Sequence, residues 1–337
     1  MHKLAAASFL TLCATMAQAD TTYPLTLPNC GQQITFDQAP KGAVTIGQAT
    51  TEILYALGMT EEDVLGTGVW FDDVAAEFAD LNAKVERLAD NDPSFEAIVG
   101  KRPGLVTIEY EWHIGPEGMI ATREQFHDLG IGTYVMPTDC VGKDNSEGVD
   151  GTCTTAFSTD SIYQGISELA AIFDITDRGD ALVASLKDRE TKAIERAQAV
   201  TLDDASAVVW YSSVDLESDP YVAGQKGAPG YMMKQLGMRN IVESDEEWPL
   251  VGWETIIKSD PTFIVIAKME RRRFDGDDIE KKLEFLRNDP VASQMTAVKE
   301  GRIVVMDVSQ MNATMRLIGG LETLIDALEA YENGKQG

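Results

Sequence analysis

Two glutamates of this chain sit in the same local phrase, written twice. The stretches PSFEAIVGKRPGLVTI (Pro93–Ile108) and VGWETIIKSDPTFIVI (Val251–Ile266) each run through an aromatic residue, a Glu, an apolar helical pattern, a Pro seven residues after the Glu and an apolar β-like run. Ser94 or Gly252 can serve as N-cap, which puts Glu96 and Glu254 in a first helical turn. A carboxylate there is favoured by the helix dipole by up to about 1 kcal/mol, and that alone would account for one such residue. Two of them, at equivalent edges of two similar segments, also make a two-point grip for a partner that carries paired cations.

A second set of residues follows the β-like runs. In open parallel α/β sheets a ligand sits outside the carboxyl ends of the strands. From the first half of the chain that rule selects Gln48, Trp70, Tyr110, Trp112 and His113, and from the second Trp210, Tyr211, Arg271, Arg272, Arg273, Gln310, Met311 and Arg316. Aromatic faces with a few guanidiniums suit a large, flat or partly apolar ligand bearing carboxylate or phenolate groups. The plainer alternatives are packing roles. Trp210 directly follows an apolar run, Met311 and Met315 lie at helical spacing, and Trp248 and Trp253 flank the second glutamate block.

Other chemistries find little support. There is no GxGxxG after the first strand-like run, no GxxxxGK[ST] phosphate loop and no GxSxG elbow. An exported α/β enzyme is therefore the remote alternative. After the first nineteen residues only His113 and His127 remain as histidines, too few for direct capture of a metal ion. With 55 acidic against 28 basic residues the net charge is −27, which repels nucleic acid phosphates and anionic lipid heads.

MHKLAAASFLTLCATMAQA (residues 1–19) has one Lys, an apolar centre and a closing Ala-Gln-Ala, the pattern of a secretory signal cut between Ala19 and Asp20. Leu12 before Cys13 argues against a lipid anchor, and no run is long enough to span a bilayer. Cys30, Cys140 and Cys153 remain, and an oxidising compartment favours a disulfide. The short loop between Cys140 and Cys153 makes these two the expected pair, with Cys30–Cys140 as the alternative.

The elements that must position these residues alternate. Ala43–Gly47, Val64–Trp70, Leu105–Tyr110 and Thr133–Pro137 are β-like, with helical segments between them. Ser161–Phe173 and Asp177–Ala199 are helical without interruption, the latter reaching about 35 Å at 1.5 Å per residue. The alternation then resumes with Ala207–Ser213, Phe263–Lys268 and Arg302–Asp307, and a last helix covers about Ile318–Tyr331. Strands separated by single helices imply parallel pairing. The fold class expected is α/β: two Rossmann-like lobes with parallel-type sheets, one long helix between them and a ligand cleft between the lobes.

A signal segment, a TEILYALGM helix, the two glutamate blocks, a helical connector and a closing GRIVVMD run occur here in a specific order. In that order the chain resembles the substrate-binding proteins of ABC importers, in the class whose lobes are joined by one rigid helix. Within it, the chain is similar to the group that binds ferric siderophores, haem and cobalamin. The resemblance covers nearly the whole chain from about Asn29. It implies a signal peptide over 1–19, a first lobe over 20–175, a connecting helix over 176–200 and a second lobe over 201–337. It also implies that Glu96 and Glu254 dock onto arginines of a permease dimer that works with ATPase subunits. The protein is then a periplasmic monomer with no bound cofactor and no membrane insertion. Its expected ligand is a small-molecule chelate, a ferric siderophore, with cobalamin or haem as alternatives.

Overall fold

The computed structural model describes residues 21–115, 118–146, 151–200, 204–271 and 273–335. The expected signal segment, its cleavage site at Ala19/Asp20 and Arg272 lie outside the described residues. The chain opens with a hairpin that the sequence pattern does not announce, β1 (Leu25–Asn29) with β2 (Gln32–Phe36). Cys30 (φ 46°) and Gly31 (φ 79°) form its turn, the pair of left-handed residues that a two-residue hairpin of type I′ requires.

The first sheet contains β3 (Ala43–Ile46), β4 (Val64–Gly68), β5 (Leu105–Ile108) and β6 (Gly132–Val135). All are parallel, in the order β4-β3-β5-β6. β3 and β5 are buried along their whole length, as expected of apolar runs covered on both faces. A short hairpin, β7 (Lys143–Asp144) with β8 (Thr152–Cys153), then leaves this lobe. The second sheet contains β9 (Ser206–Ser212), β10 (Tyr221–Val222), β11 (Arg239–Asn240), β12 (Phe263–Lys268) and β13 (Ile303–Asp307). Its parallel strands run β11-β9-β12-β13, and β10 lies antiparallel beside the far end of β9. When only the parallel strands of each sheet are numbered in chain order, both sheets therefore have the order 2-1-3-4. The repeated phrase in the sequence reflects a repeated fold.

Helix Thr176–Ala199 joins the lobes and is 24 residues long, about 36 Å at 1.5 Å per residue. Arg178 donates from Nη1 to the Leu57 carbonyl of the first lobe at 3.2 Å. Toward the carboxyl-terminal helix Leu317–Lys335, Arg189 grips Glu322 at 2.9 and 2.7 Å, and Arg196 grips Glu329 at 3.0 and 2.7 Å. The connector also carries the buried Glu190. Its carboxylate accepts from Thr159 Oγ1 at 2.9 Å, from Tyr163 OH at 2.6 Å and from Tyr231 OH, so one side chain touches helices of both lobes. One apolar core runs through both lobes and the connector, and each lobe has a further core on its opposite sheet face.

The disulfide corrects the expected Cys140–Cys153 pair: Cys30 is bonded to Cys140, with their Cα atoms 5.5 Å apart. The cause is the neighbouring Asn29, which clamps the end of β6. Its Nδ2 donates to the Val135 carbonyl at 2.7 Å and its Oδ1 accepts from Val135 N at 2.9 Å. The hairpin tip is thereby held beside the turn Pro137–Asp139 that leads to Cys140. Cys153 instead follows β8 toward the second lobe, where its N–H donates to the Asp245 carbonyl at 3.1 Å. It remains a buried free thiol, and burial pushes its pKa up to about 11.

Candidate functional site

Both glutamate blocks form short helices, Phe95–Gly100 and Trp253–Ser259, each immediately before the third strand of its sheet. Ser94 caps the first, its Oγ accepting from Ala97 N at 3.2 Å, and Gly252 occupies the cap position of the second. Each helix ends on a left-handed residue before a proline, Arg102 (φ 53°) before Pro103 and Asp260 (φ 39°) before Pro261. Glu96 and Glu254 therefore hold matching first-turn positions, and both side chains are exposed.

A cavity of about 310 Å³ opens where the two lobes face each other. The segments after the third strands of the sheets supply opposite chemistry. After β5 come Glu109, Tyr110 and Trp112, and after β12 come Arg271 and Arg273. Tyr211, from the end of β9, and Trp248 complete the aromatic lining, their rings 4.5 Å apart. Phe71 lies under the Arg271 guanidinium at 4.1 Å, and its carbonyl accepts the N–H groups of Glu270 and Arg271 at 3.1 Å each. Arg273 reaches across to Asn91 Oδ1 at 2.9 Å. Five of the residues selected by the strand-end rule thus meet in one place: Tyr110, Trp112, Tyr211, Arg271 and Arg273.

Among the described residues, the others selected by that rule are absent from this lining. Trp210 is only 1% exposed, because neighbouring residues of a strand face opposite sides and Trp210 takes the side away from Tyr211. There it packs against Trp253 at 4.8 Å and Phe285 at 6.0 Å. Trp70 is buried with its Nε1 donating to Thr67 Oγ1 at 3.2 Å. His113 is fully buried between the Tyr110 carbonyl at 3.0 Å and Asp92 at 3.1 Å, and it stacks beneath Trp112 at 3.8 Å, supporting that ring. Met311 belongs to the shared core. Gln48 lies below the cavity floor, where its amide orders the loop carrying Phe71. The carbonyl accepts from Phe71 N at 3.3 Å and Asp72 N at 3.2 Å, while the NH2 donates to Glu52 at 3.0 Å. Arg316 crosses between lobes beside the cleft, from Asp307 at 2.9 Å to the Asp73 carbonyl at 3.1 Å, with Glu52 at 3.6 Å and Asp72 at 3.8 Å. Gln310 lines a separate groove with Arg316.

Several cavity residues escaped the sequence reading. Glu109 follows β5 directly and Asp139 ends the turn after β6, so the same rule would have found Glu109 had it admitted acids. Lys143 opens the two-residue strand β7, and Glu247, Phe274 and Asp277 come from loops and turns, all too short for a periodic signal. Glu109 owes its place to Gly47 (φ 128°), where a Cβ would stand 2.2 Å from the Glu109 Cβ. Its Oε2 accepts the Ala49 N–H at 2.9 Å, yet burial still pushes the carboxyl up to about 7. Asp139 is likewise pushed up to about 6 by burial, against the pull of Lys143. Asp277 is buried and fixed by Ser212 Oγ at 2.5 Å, Arg273 N at 2.7 Å and Phe274 N at 2.9 Å. Among the described residues no cluster of three His, Cys, Asp or Glu side chains is arranged to hold a metal ion, and no helix is long and apolar enough to cross a membrane.

Comparison with known proteins agrees with this architecture. The profile of a family described as periplasmic binding protein matches residues 44–309. The uncharacterized ABC transporter substrate-binding lipoprotein YvrC of Bacillus subtilis (strain 168) is 24% identical over 316 residues, 92% of this chain and 87% of its own. A solved protein of the ABC-type Fe3+-hydroxamate transport system of Saccharomonospora viridis superposes with a TM-score of 0.71 at 25% identity, covering 91% of this chain and 99% of its own. The periplasmic heme-binding protein RhuT of Roseiflexus does so with a TM-score of 0.65 at 21% identity, covering 86% and 97%. With two lobes of like topology, one connecting helix and a cleft between them, this chain belongs to the periplasmic binding protein family.

Proposed function

We propose that the protein captures a ferric siderophore in the cleft between its lobes and delivers it to a permease that it docks through Glu96 and Glu254. The observation that carries the cargo reading is the cleft lining itself: Tyr110, Trp112, Tyr211 and Trp248 offer aromatic faces and Arg271 and Arg273 offer guanidiniums, without a metal-ligand cluster among the described residues. Iron then arrives already chelated, the organic shell meets the rings, and its anionic oxygens meet the guanidiniums. The relative from an Fe3+-hydroxamate transport system supports this choice. The haem-binding relative keeps haem, and with it corrinoids, as the second reading, since flat macrocycles use the same rings.

In this reading residues 1–19 direct export and are cut after Ala19, and the mature monomer works in the periplasm with a permease dimer and its ATPase subunits. A single connecting helix permits only modest lobe closure. Tryptophan-fluorescence titration of the chain from Asp20 onward tests the cargo, with ferric hydroxamate, catecholate and carboxylate complexes set against cobinamide and haem. Submicromolar quenching by a ferric complex is the expected result. A tight response only to haem or cobinamide would replace the cargo and leave the docking role standing.

A further inference from the structure

Lys143 sits at the seam of the cleft. Its ammonium lies 2.8 Å from Asp139 of the first lobe and 2.7 Å from Glu247 of the second, with side-chain exposures of 8%, 6% and 17%. Asp139 is fixed from behind, its Oδ2 accepting the Glu111 N–H at 2.6 Å. Backbone contacts hold the two lobes in register here: Thr152 pairs with Glu246, and Cys153 N donates to the Asp245 carbonyl. All three side chains line the cavity. The two carboxylates and the one ammonium leave one negative charge uncancelled.

Building on the capture role above, we propose that the Asp139–Lys143–Glu247 triad is a charge filter: it makes Lys143 and Glu247 specificity-determining residues that admit uncharged or cationic cargo and disfavour polyanionic cargo. The filter exists only where the lobes meet, because Glu247 and Lys143 come from different lobes. A cargo group entering beside the triad meets a fixed, poorly solvated negative charge. The guanidiniums of Arg271 and Arg273 still receive the cargo's anionic oxygens, so the cleft prefers a bipolar or neutral complex to one that is negative on every side.

A matched series isolates this effect from shape: a linear ferric trihydroxamate with a free ammonium, its N-acetylated uncharged form and its N-succinylated anionic form. Each is titrated against the intact protein, Glu247→Gln and Lys143→Met, with thermal melts confirming that the variants fold. In the wild type, affinity should fall by about threefold for each step toward negative charge, as expected for unit charges about 6 Å apart under water-like screening. Glu247→Gln, which neutralises the triad, should flatten that slope, and Lys143→Met, which doubles its negative charge, should steepen it. A slope of zero in the wild type, or variants that shift all three cargoes by one common factor, would overturn the filter and leave the triad a mere fastening. If no member of the series binds but haem or cobinamide does, the ferric reading falls. The filter then requires Glu247→Gln to strengthen dianionic haem or weaken cationic cobinamide, and Lys143→Met to do the opposite. If neither this series, a ferric catecholate or carboxylate complex, haem nor cobinamide binds, both readings fall.

Discussion

The two lobes share a strand order and a glutamate helix, and they differ in almost everything they bring to the cleft. The first lobe contributes buried acids: burial pushes the carboxyl groups of Asp72 and Asp139 up to about 6 and that of Glu109 up to about 7. The carboxyl shifts resolved in the second lobe run the other way. Hydrogen bonds from Lys226 lower Asp245, and those from Thr296 lower Asp260. After its third strand the second lobe offers arginines where the first offers an acid and aromatic rings. The first lobe is also fastened covalently by Cys30–Cys140, whereas the second has no disulfide among the described residues. The two lobes thus match on the outside, at the glutamate helices, and differ on the inside, in what they bring to the cleft.

The outer symmetry can be broken directly. Glu96→Lys with Glu254→Lys should abolish uptake while cargo affinity stays unchanged. Each single reversal should cost at least tenfold in transport, since removing one side of a charge pair at an interface costs about 2–5 kcal/mol. Normal transport by the double variant would mean that the two helices match for reasons of folding alone.

The fastening of one lobe predicts the next largest effect. Cys30→Ser with Cys140→Ser removes the bond that closes the long loop between them. A loop of that size is worth about 4.7 kcal/mol in the chain-entropy account, so a loss of 2–5 kcal/mol is expected in denaturant unfolding. Cys153→Ser should cost much less, since it breaks no bond. Equal losses from both would refute the assignment of the pair.

A smaller effect separates the lobes by pH. Asp72, Glu109 and Asp139 hold their protons more tightly folded than unfolded, so their contribution is fully present below about pH 4 and is lost as pH rises through about 6 to 7. The melting temperature should therefore rise between pH 7.5 and pH 5.5. Glu109→Gln should reduce that rise, and a wild-type curve that is flat or falling toward acid would contradict the burial of these groups.

Much of this architecture was legible beforehand. The alternation of runs located the main strands, the uninterrupted pattern over 177–199 located the connector, and the twice-written block located both glutamate helices. What the pattern could not carry was direction and distance. The strand-end rule finds where a strand stops but not which way its last side chain points, so Tyr211 reached the cavity and Trp210 went into the core. Lys143 and Glu247 meet because a hairpin crosses from one lobe to the other, and nothing local in either loop records that meeting. The disulfide was misjudged because closeness along the chain was weighed above the grip of Asn29 on β6. β11 is two residues long, below what any period can register.

The Cys30–Cys140 bond has one more consequence, in the order of synthesis. A chain is made amino-terminus first, so Cys140 becomes available to Cys30 before Cys153 is made. Of Cys30, Cys140 and Cys153, the bonded pair is the two that come first along the chain. Oxidation in simple arrival order is then sufficient, and no later shuffling of partners is needed to reach the finished molecule.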